Sequence, residues 1–295
     1  MTWSQSVVER LVATDRWGYD AAWPSATEPA ALAAIALLGH GAARAAQKPL
    51  QWLTKTQRAD GSLGVDAQQS SPTWPTSLAV IAWTAADSMR GSSKFEPQLA
   101  SAVRSMLRVE GVRLERVPEM GHDSTLLGWP WVEGTHSWIE PTAMHLLALK
   151  AVGQSQHPRA REAARLLADR LLPSGGCNYG NTTVLGQTLR PHVQPTGVCL
   201  LALARESALE VRVEASLKYL ERELSPRTTT ASLCYALLAL AALDRWPARA
   251  DALLEAAGRR TLSRDAAPYK LALLALAALG RECPIVSLTA PVGAS

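Results

Sequence analysis

Residues 140–149 read Glu-Pro-Thr-Ala-Met-His-Leu-Leu-Ala-Leu, and this phrase decides the fold because it recurs. A similar turn followed by an Ala/Leu run lies at residues 28–37, 74–83, 194–203, 231–240 and 267–276. Five of the six phrases carry proline at the aligned position, and the fifth phrase has Ser232 there. Proline suits the first turn of a helix, where its missing N–H has no partner to lose. The register therefore predicts six helices.

These six helices are apolar nearly all round, which predicts that they are buried. Amphipathic segments with one charged face separate them, at residues 3–13, 42–57, 96–109, 157–172, 208–223 and 247–260. A linear stack of such hairpins would expose one side of the apolar helices, whereas a closed ring covers it. The sequence thus predicts an all-α fold, an α/α toroid of six helical hairpins over residues 1–280, with a C-terminal tail at 281–295.

Composition excludes several protein classes. The chain has 295 residues, 47% of them hydrophobic and 19% charged, which is unlike a disordered or collagen-like chain. No apolar run reaches the length of a membrane-spanning helix, and no signal peptide is visible. Four widely spaced cysteines without a CxxC pair favour reduced thiols and a cytoplasmic location. The net charge of +4 is scattered, so we expect no nucleic-acid partner, and we expect neither a cofactor nor a metal.

The spacing of the repeats indicates where function lies. The last two proline positions follow at about the minimum distance for a helical hairpin, whereas the earlier ones are much farther apart. The excess lies in connections 14–27, 58–73, 110–138 and 173–193, which all lead from an outer helix to the start of an inner one. They should therefore gather at one end of the barrel, together with the inner-helix N-termini, and long ordered loops on a rigid scaffold often build a site.

Residues 52–57 and 60–64, Trp-Leu-Thr-Lys-Thr-Gln and Asp-Gly-Ser-Leu-Gly, resemble the "QW" repeat of squalene-hopene and oxidosqualene cyclases. Leu63 stands where that repeat usually has Trp. The inner-helix phrases are similar to the prenyltransferase/squalene-oxidase repeats of the same superfamily, which includes the protein prenyltransferase β-subunits. The resemblance covers most of residues 17–280. It implies an α/α toroid and a small hydrophobic ligand of the isoprenoid class.

Two departures from that superfamily matter. Class II terpene cyclases protonate their substrate with the central Asp of a DxDD motif, and the matching stretch here, residues 138–143, is Trp-Ile-Glu-Pro-Thr-Ala. It places Glu140 where the proton donor belongs, without the neighbouring carboxylates. The Asp-x-Cys pair that holds zinc in protein prenyltransferases is also missing, and a squalene-type cyclase has two toroids where this chain has room for one.

Four residues are candidates for catalysis: Glu140, His136, Asp123 and Glu28. Glu140 follows the longest connection and is preferred as a general acid. The alternative for Glu140 and Glu28 is an N-cap carboxylate ahead of proline, and a helix dipole would then lower the pKa of the acid. For His136 and Asp123 the alternative is an ordinary loop surface.

Aromatic side chains gather in the long connections and at the inner-helix starts. The candidate binding residues are Trp17, Tyr19, Trp23, Trp74, Trp129, Trp131, Trp138, Tyr179, His192 and Tyr269. Either they pin the loops to the barrel, or they line a cavity that holds an isoprenoid chain and stabilises a carbocation by cation–π attraction. An aromatic cup also suits a sugar or another lipid.

Three classes of function remain open after these observations. The first is a terpene cyclase-like or prenyltransferase-like enzyme, with Glu140 as its acid. The second is a glycoside hydrolase or polysaccharide lyase, which needs two opposed carboxylates. The third is a non-catalytic ligand-binding or scaffold toroid. A peripheral membrane contact and a partner chain or homo-oligomer also stay open.

Overall fold

The computed structural model describes residues 2–116, 118–206 and 210–288, and within them helices of two layers alternate along the chain. The inner helices are α2 (Thr27–Gly39), α4 (Thr76–Arg90), α6 (Ile139–Ala151), α8 (Val193–Leu203), α10 (Thr230–Ala242) and α12 (Pro268–Ala278). The outer helices are α1 (Trp3–Val12), α3 (Ala43–Thr56), α5 (Glu96–Arg108), α7 (Pro158–Asp169), α9 (Glu210–Glu223) and α11 (Ala250–Arg264).

The inner helices close into a ring. Each contacts the next along the chain, from α2 through α12, and α12 returns to contact α2. Their side chains are buried on nearly every side, as in the run from Ala30 to Leu38, where no residue is more than 2% exposed. Burial of apolar surface at this density is the main force that holds such a ring together. The predicted all-α toroid of alternating outer and inner helices is confirmed.

Threonines at the inner-helix starts fasten the long loops to the barrel. Each follows a proline of the repeat, and its Oγ1 accepts a backbone N–H from the loop that precedes the helix. The three hydrogen bonds are equivalent, and each measures 2.9 Å: Leu63 to Thr76, Trp129 to Thr142, and Cys177 to Thr196. Residues 63, 129 and 177 therefore occupy matching positions in successive hairpins, and the repeat fixes the loops as well as the helices.

If these threonine hydrogen bonds hold the loops on the barrel, removal of one threonine hydroxyl should lower the stability of the protein. Thr142 is fully buried, and its Oγ1 also lies 3.3 Å from the carbonyl oxygen of Trp129. Thr142→Val leaves both backbone groups of Trp129 without this partner, so the free energy of unfolding should fall by about 1–3 kcal/mol. Urea denaturation checks this, with Thr14→Val as the control, because the Thr14 hydroxyl, just after α1, donates within the described residues only to the nearby carbonyl of Arg10. Equal effects of the two substitutions would contradict the fastening.

The helix starts differ from the sequence-based expectation in one respect. Proline does lie in the first turn, but in α2, α6 and α8 it is the third helical residue, not the first. Glu28 and Glu140 are thus inside the helix, and the N-cap positions belong to Ala26 and Trp138, which make no side-chain cap bond. The alternative of an N-cap carboxylate is therefore wrong for both acids. The first-turn N–H groups lack helical partners in any case, so proline fits at each of these positions.

The segment after α12 packs against the barrel. A 3₁₀ turn, Gly280–Glu282, and a short helix, α13 (Pro284–Ser287), contact α10, and α13 also contacts α2. Cys283, Ile285 and Val286 are buried there. This contact lies near Gly39, at the end of the barrel opposite the long loops. The remainder of the predicted tail, residues 289–295, falls outside the described residues.

Other features of the fold bear on the earlier expectations. The fourth long loop contains a two-stranded antiparallel hairpin, β1 (Thr183–Val184) and β2 (Gln187–Thr188), which the sequence did not indicate. The four cysteines are free and buried. Within the described part of the chain, no helix combines the length and the apolar character needed to cross a membrane.

Candidate functional site

Two glutamates and three tyrosines meet at the loop end of the barrel, and we call them the carboxylate–tyrosine cluster. Glu28, in the first turn of α2, accepts hydrogen bonds from the hydroxyls of Tyr19 at 2.7 Å and Tyr235 at 3.3 Å. Tyr269 packs on Tyr19 with ring centroids 5.2 Å apart. Glu140 is the fifth member of the cluster, because its charge raises the pKa values of Glu28, Tyr235 and Tyr269. The cluster joins the first long loop to helices from opposite parts of the ring.

Glu28 is an acid with an unusual environment. Its side chain is almost fully buried, and burial raises its pKa to about 7. The two tyrosine hydrogen bonds have the opposite effect and lower the pKa, but burial outweighs them. The negative charge of Glu140 raises the pKa of Glu28 further, so the two carboxyl groups interact electrostatically. Near neutral pH, Glu28 is therefore divided between its neutral and ionised forms.

Glu140 is the more accessible of the two acids. Burial raises its pKa to about 6, while a hydrogen bond from Gln194 Nε2 to Glu140 Oε1, 3.0 Å long, lowers it. Among the described residues no hydrogen bond engages its other oxygen, Oε2. A helix N-terminus favours the ionised form, so removal from water outweighs the dipole here. The sequence argument that the dipole disfavours an acid role for Glu140 is thus countered by burial.

The raised pKa of Glu28 predicts a pH dependence of stability. A carboxyl whose pKa is higher in the folded than in the unfolded state stabilises the fold below its unfolded pKa, near 4.5, and loses that contribution as pH rises through about 7. Relative to Glu28→Gln, the wild-type protein should therefore lose about 2 kcal/mol of unfolding free energy between pH 5 and pH 8.

Urea unfolding at pH 5, 6, 7 and 8 measures this loss. Glu133→Gln is the matched control, because Glu133 is an exposed loop carboxylate. Its stability profile should run parallel to that of the wild type. If Glu28→Gln ran parallel as well, Glu28 would have to be ionised throughout this pH range.

His136 and Asp123 lie outside the contacts of the cluster. The ring of His136 packs on Trp138 with centroids 4.4 Å apart, and no described hydrogen bond joins it to Glu140. The carboxylate of Asp123 accepts the N–H and the hydroxyl of Thr125 in a tight turn, and these bonds lower the pKa of Asp123. A half-buried carboxylate with a lowered pKa is ionised at neutral pH and is a poor proton donor. Their catalytic roles stay predictions.

Trp129 is a packing residue. Its ring is fully buried, stacks on His145 with centroids 4.7 Å apart, and lies 4.3 Å from the guanidinium of Arg159. Its Nε1 donates to the carbonyl of Met106 at 2.8 Å. Burial lowers the pKa of His145 to about 3, so this stacking partner is neutral. For Trp129, the contacts match a loop-pinning role.

The other predicted aromatic residues occupy varied places at the loop end. Tyr19 and Tyr269 belong to the cluster, and Trp17 is buried, with no hydrogen-bond partner for its Nε1 among the described residues. Edge-to-face packing joins Trp74 and Trp131, and Tyr179 lies beside the exposed His192. Trp138 covers Gly180 of the fourth loop, whereas Trp23 is 60% exposed. The aromatic residues are thus partly structural and partly available to a ligand.

Sequence reasoning missed two members of this region, Tyr235 and Gln194. Tyr235 sits in the middle of the apolar phrase of α10, where nothing in the local pattern distinguishes it from a core residue. Gln194 did carry a signal, because it precedes proline in its repeat just as Glu28 and Glu140 do in theirs. Comparison of the same position across all six repeats would have found it.

The described residues contain no group of three or more His, Cys, Asp or Glu side chains that could hold a metal ion. The side chains of the cluster supply carboxyl and phenol groups, and Gln194 adds an amide beside Glu140. Two carboxyl groups with raised pKa values can exchange protons with a ligand near neutral pH.

No protein-family model and no curated protein matches this sequence. Solved structures are similar in fold. A protein from Actinoplanes matches with a TM-score of 0.54 and 18% identity, over 88% of this chain and 80% of that one. Escherichia coli alpha-2-macroglobulin, from domain MG7 to the C-terminus, matches with a TM-score of 0.50 and 13% identity, over 94% of this chain and 42% of that one.

Salmonella alpha-2-macroglobulin reacted with methylamine gives a TM-score of 0.50 at 12% identity, over 94% of this chain and 17% of that one. This chain thus corresponds to less than half of either macroglobulin chain. At such identities the likeness extends to the fold alone, and the chemistry of this chain has to be argued from its own residues.

Proposed function

We propose that this chain is a terpene cyclase-like or prenyltransferase-like enzyme that binds an isoprenoid at the loop end of the barrel, with Glu140 as its proton donor. The observation that carries the proposal is the carboxylate–tyrosine cluster: two carboxyl groups with raised pKa values among aromatic rings. The resemblance of the repeats to the terpenoid cyclase superfamily supplies the ligand class.

The two acids differ in a way that suits different roles. Both oxygens of Glu28 accept phenol hydrogen bonds, whereas Glu140 has one oxygen held by Gln194 and greater exposure. Glu140 is therefore better placed to give its proton to an alkene carbon: its O–H bond breaks, a C–H bond forms, and a carbocation results. Gln194 would stabilise the carboxylate left behind, and the tyrosine rings would face the cation.

The test is incubation of the purified chain with prenyl diphosphates of increasing length and with squalene, followed by mass spectrometry of the products. Turnover of at least one isoprenoid is expected. Absence of turnover, with an unchanged melting temperature for every isoprenoid tried, would remove this proposal.

A second candidate function is that of a carbohydrate-active enzyme. One observation supports it, the electrostatic interaction of the Glu28 and Glu140 carboxyl groups within a single site. Glycoside hydrolysis uses two carboxyl groups that flank the scissile bond. Incubation with oligosaccharides under the same conditions distinguishes the two candidates, since the isoprenoid proposal predicts no shortened sugar products.

A further inference from the structure

A small cavity of about 100 Å³ lies among the third and fourth long loops and the end of α7. It is separate from the contacts of the carboxylate–tyrosine cluster. Its apolar walls include Met120 and Leu126, and its polar lining comprises His122, Ser124, His136, Ser137, Arg170 and Asn181. A cavity of this size with several polar side chains can hold a small polar ligand.

Two buried polar atoms of the residues in this lining, Nε2 of His136 and Nε of Arg170, have no hydrogen-bond partner among the described residues. Arg170 itself is only 5% exposed. Buried donors are nearly always paired with protein, with ordered water or with a ligand. Both nitrogens belong to side chains that line the same small cavity, and an occupant that accepts hydrogen bonds would match the guanidinium and imidazole groups of that lining.

The neighbouring contacts hold these side chains in place. Nη1 of Arg170 donates to the carboxylate of Asp169 and, at 3.2 Å, to the carbonyl of Asp123. Nδ1 of His122 lies 3.1 Å from Oγ1 of Thr182, which leaves Nε2 as the ring nitrogen not engaged there. The guanidinium and both imidazoles are thus oriented before any ligand arrives, so binding costs little side-chain ordering.

We propose that this cavity binds a tetrahedral oxyanion of the size of phosphate, with Arg170, His122 and His136 as its donors. A planar guanidinium beside imidazole groups is well suited to phosphate oxygens. The permanent charge of Arg170 disfavours a metal cation in the same space. This site does not depend on the isoprenoid proposal and could serve any phosphate-bearing molecule whose remaining part reaches solvent.

The charges around the imidazoles predict how pH affects binding. Burial and the charge of Arg170 lower the pKa of both histidines, while Asp169 and Asp123 raise that of His122. Arg116 is the further charged group near Asp123. A bound dianion would favour the protonated imidazoles and raise both pKa values, whereas the free anion itself takes up a proton as pH falls through its own second pKa. Binding should therefore be tightest at intermediate pH and weaken on either side.

The experiment measures the melting temperature and the histidine NMR titrations with inorganic phosphate or with glycerol 3-phosphate, at constant ionic strength. In the wild type, either anion at saturation should raise the melting temperature by about 3 °C, and the pKa values of His122 and His136 should rise. A response to inorganic phosphate supports a free-anion site, and a response to the ester alone supports a site for phosphate monoesters.

His136→Leu removes one unpartnered nitrogen while the side chain can still pack on Trp138. It should therefore melt no lower than the wild type without anion, yet lose the anion-induced shift. Arg165→Gln removes an exposed charge from α7, the helix whose C-cap is Arg170, and it should keep the full shift. No shift in the wild type with either anion, or an equal shift in His136→Leu, would overturn the proposal.

Discussion

Glu140→Gln is expected to reduce isoprenoid turnover by at least about 100-fold, because loss of a positioned general acid has effects of this order. Gln keeps the size of the side chain, and its carbonyl oxygen can still accept the hydrogen bond from Gln194. The fold and its melting temperature should therefore stay near those of the wild type. The assay is product formation by mass spectrometry, with circular dichroism to confirm folding.

The matched controls are Glu133→Gln, on an exposed loop, and Glu28→Gln, in the partner acid. Glu133→Gln should retain full turnover. Because Glu28 is held by Tyr19 and Tyr235, its replacement should cost less than that of Glu140. If the order were reversed, Glu28 would be the donor, and retained activity in Glu140→Gln would remove Glu140 from the role.

The pH profile offers an independent measurement on the same acid. A proton donor with a pKa of about 6 loses its neutral form as pH rises above that value, so turnover should fall on the alkaline side. The hydrogen bond from Gln194 favours the ionised carboxylate. Gln194→Leu should therefore raise the pKa of Glu140 and move the alkaline limb of the profile to higher pH. A purely structural role for Gln194 would leave the limb in place.

Most of the fold could be predicted from the sequence, because the pattern of apolar residues repeats along the chain. Six aligned phrases of Ala and Leu could be buried only if their helices faced one another, and α2 through α12 do form a closed ring. The alternation with amphipathic segments likewise fixed which helices are outside. Boundaries were less well determined. Proline is compatible with several first-turn positions, so the phrase could not say that α6 begins at Ile139.

The candidate site was only partly predictable. Glu28 and Glu140 stood out because carboxylates are rare in these phrases, and both lie at the loop end, in the same cluster. Tyr235 could not be found, since its contact with Glu28 spans 207 residues and no short-range pattern records it. The pKa values depend on burial by the loops, and loop conformation is the part of the fold that helical periodicity does not encode.

The second prediction with a large expected effect concerns the aromatic residues. From the sequence alone, they could equally well hold the loops on the barrel or contact a ligand. Trp129 is the clearest case for pinning. Trp129→Ala removes a fully buried indole that contacts His145 and Arg159, and it leaves the Met106 carbonyl with only the longer bond from the Val109 N–H, at 3.3 Å. The free energy of unfolding should fall by about 3–5 kcal/mol.

Trp129→Phe separates the contributions to this loss. Phe keeps much of the stacking on His145 but has no N–H for Met106, so an intermediate loss of about 1–2 kcal/mol is expected. Trp23→Ala is the matched control, because Trp23 is 60% exposed and should cost under about 0.5 kcal/mol. Urea denaturation measures all three variants. If Trp129→Ala cost less than about 1 kcal/mol but abolished ligand binding, Trp129 would have to face the ligand, and the loop between α5 and α6 would need another anchor to hold Glu140 in the site.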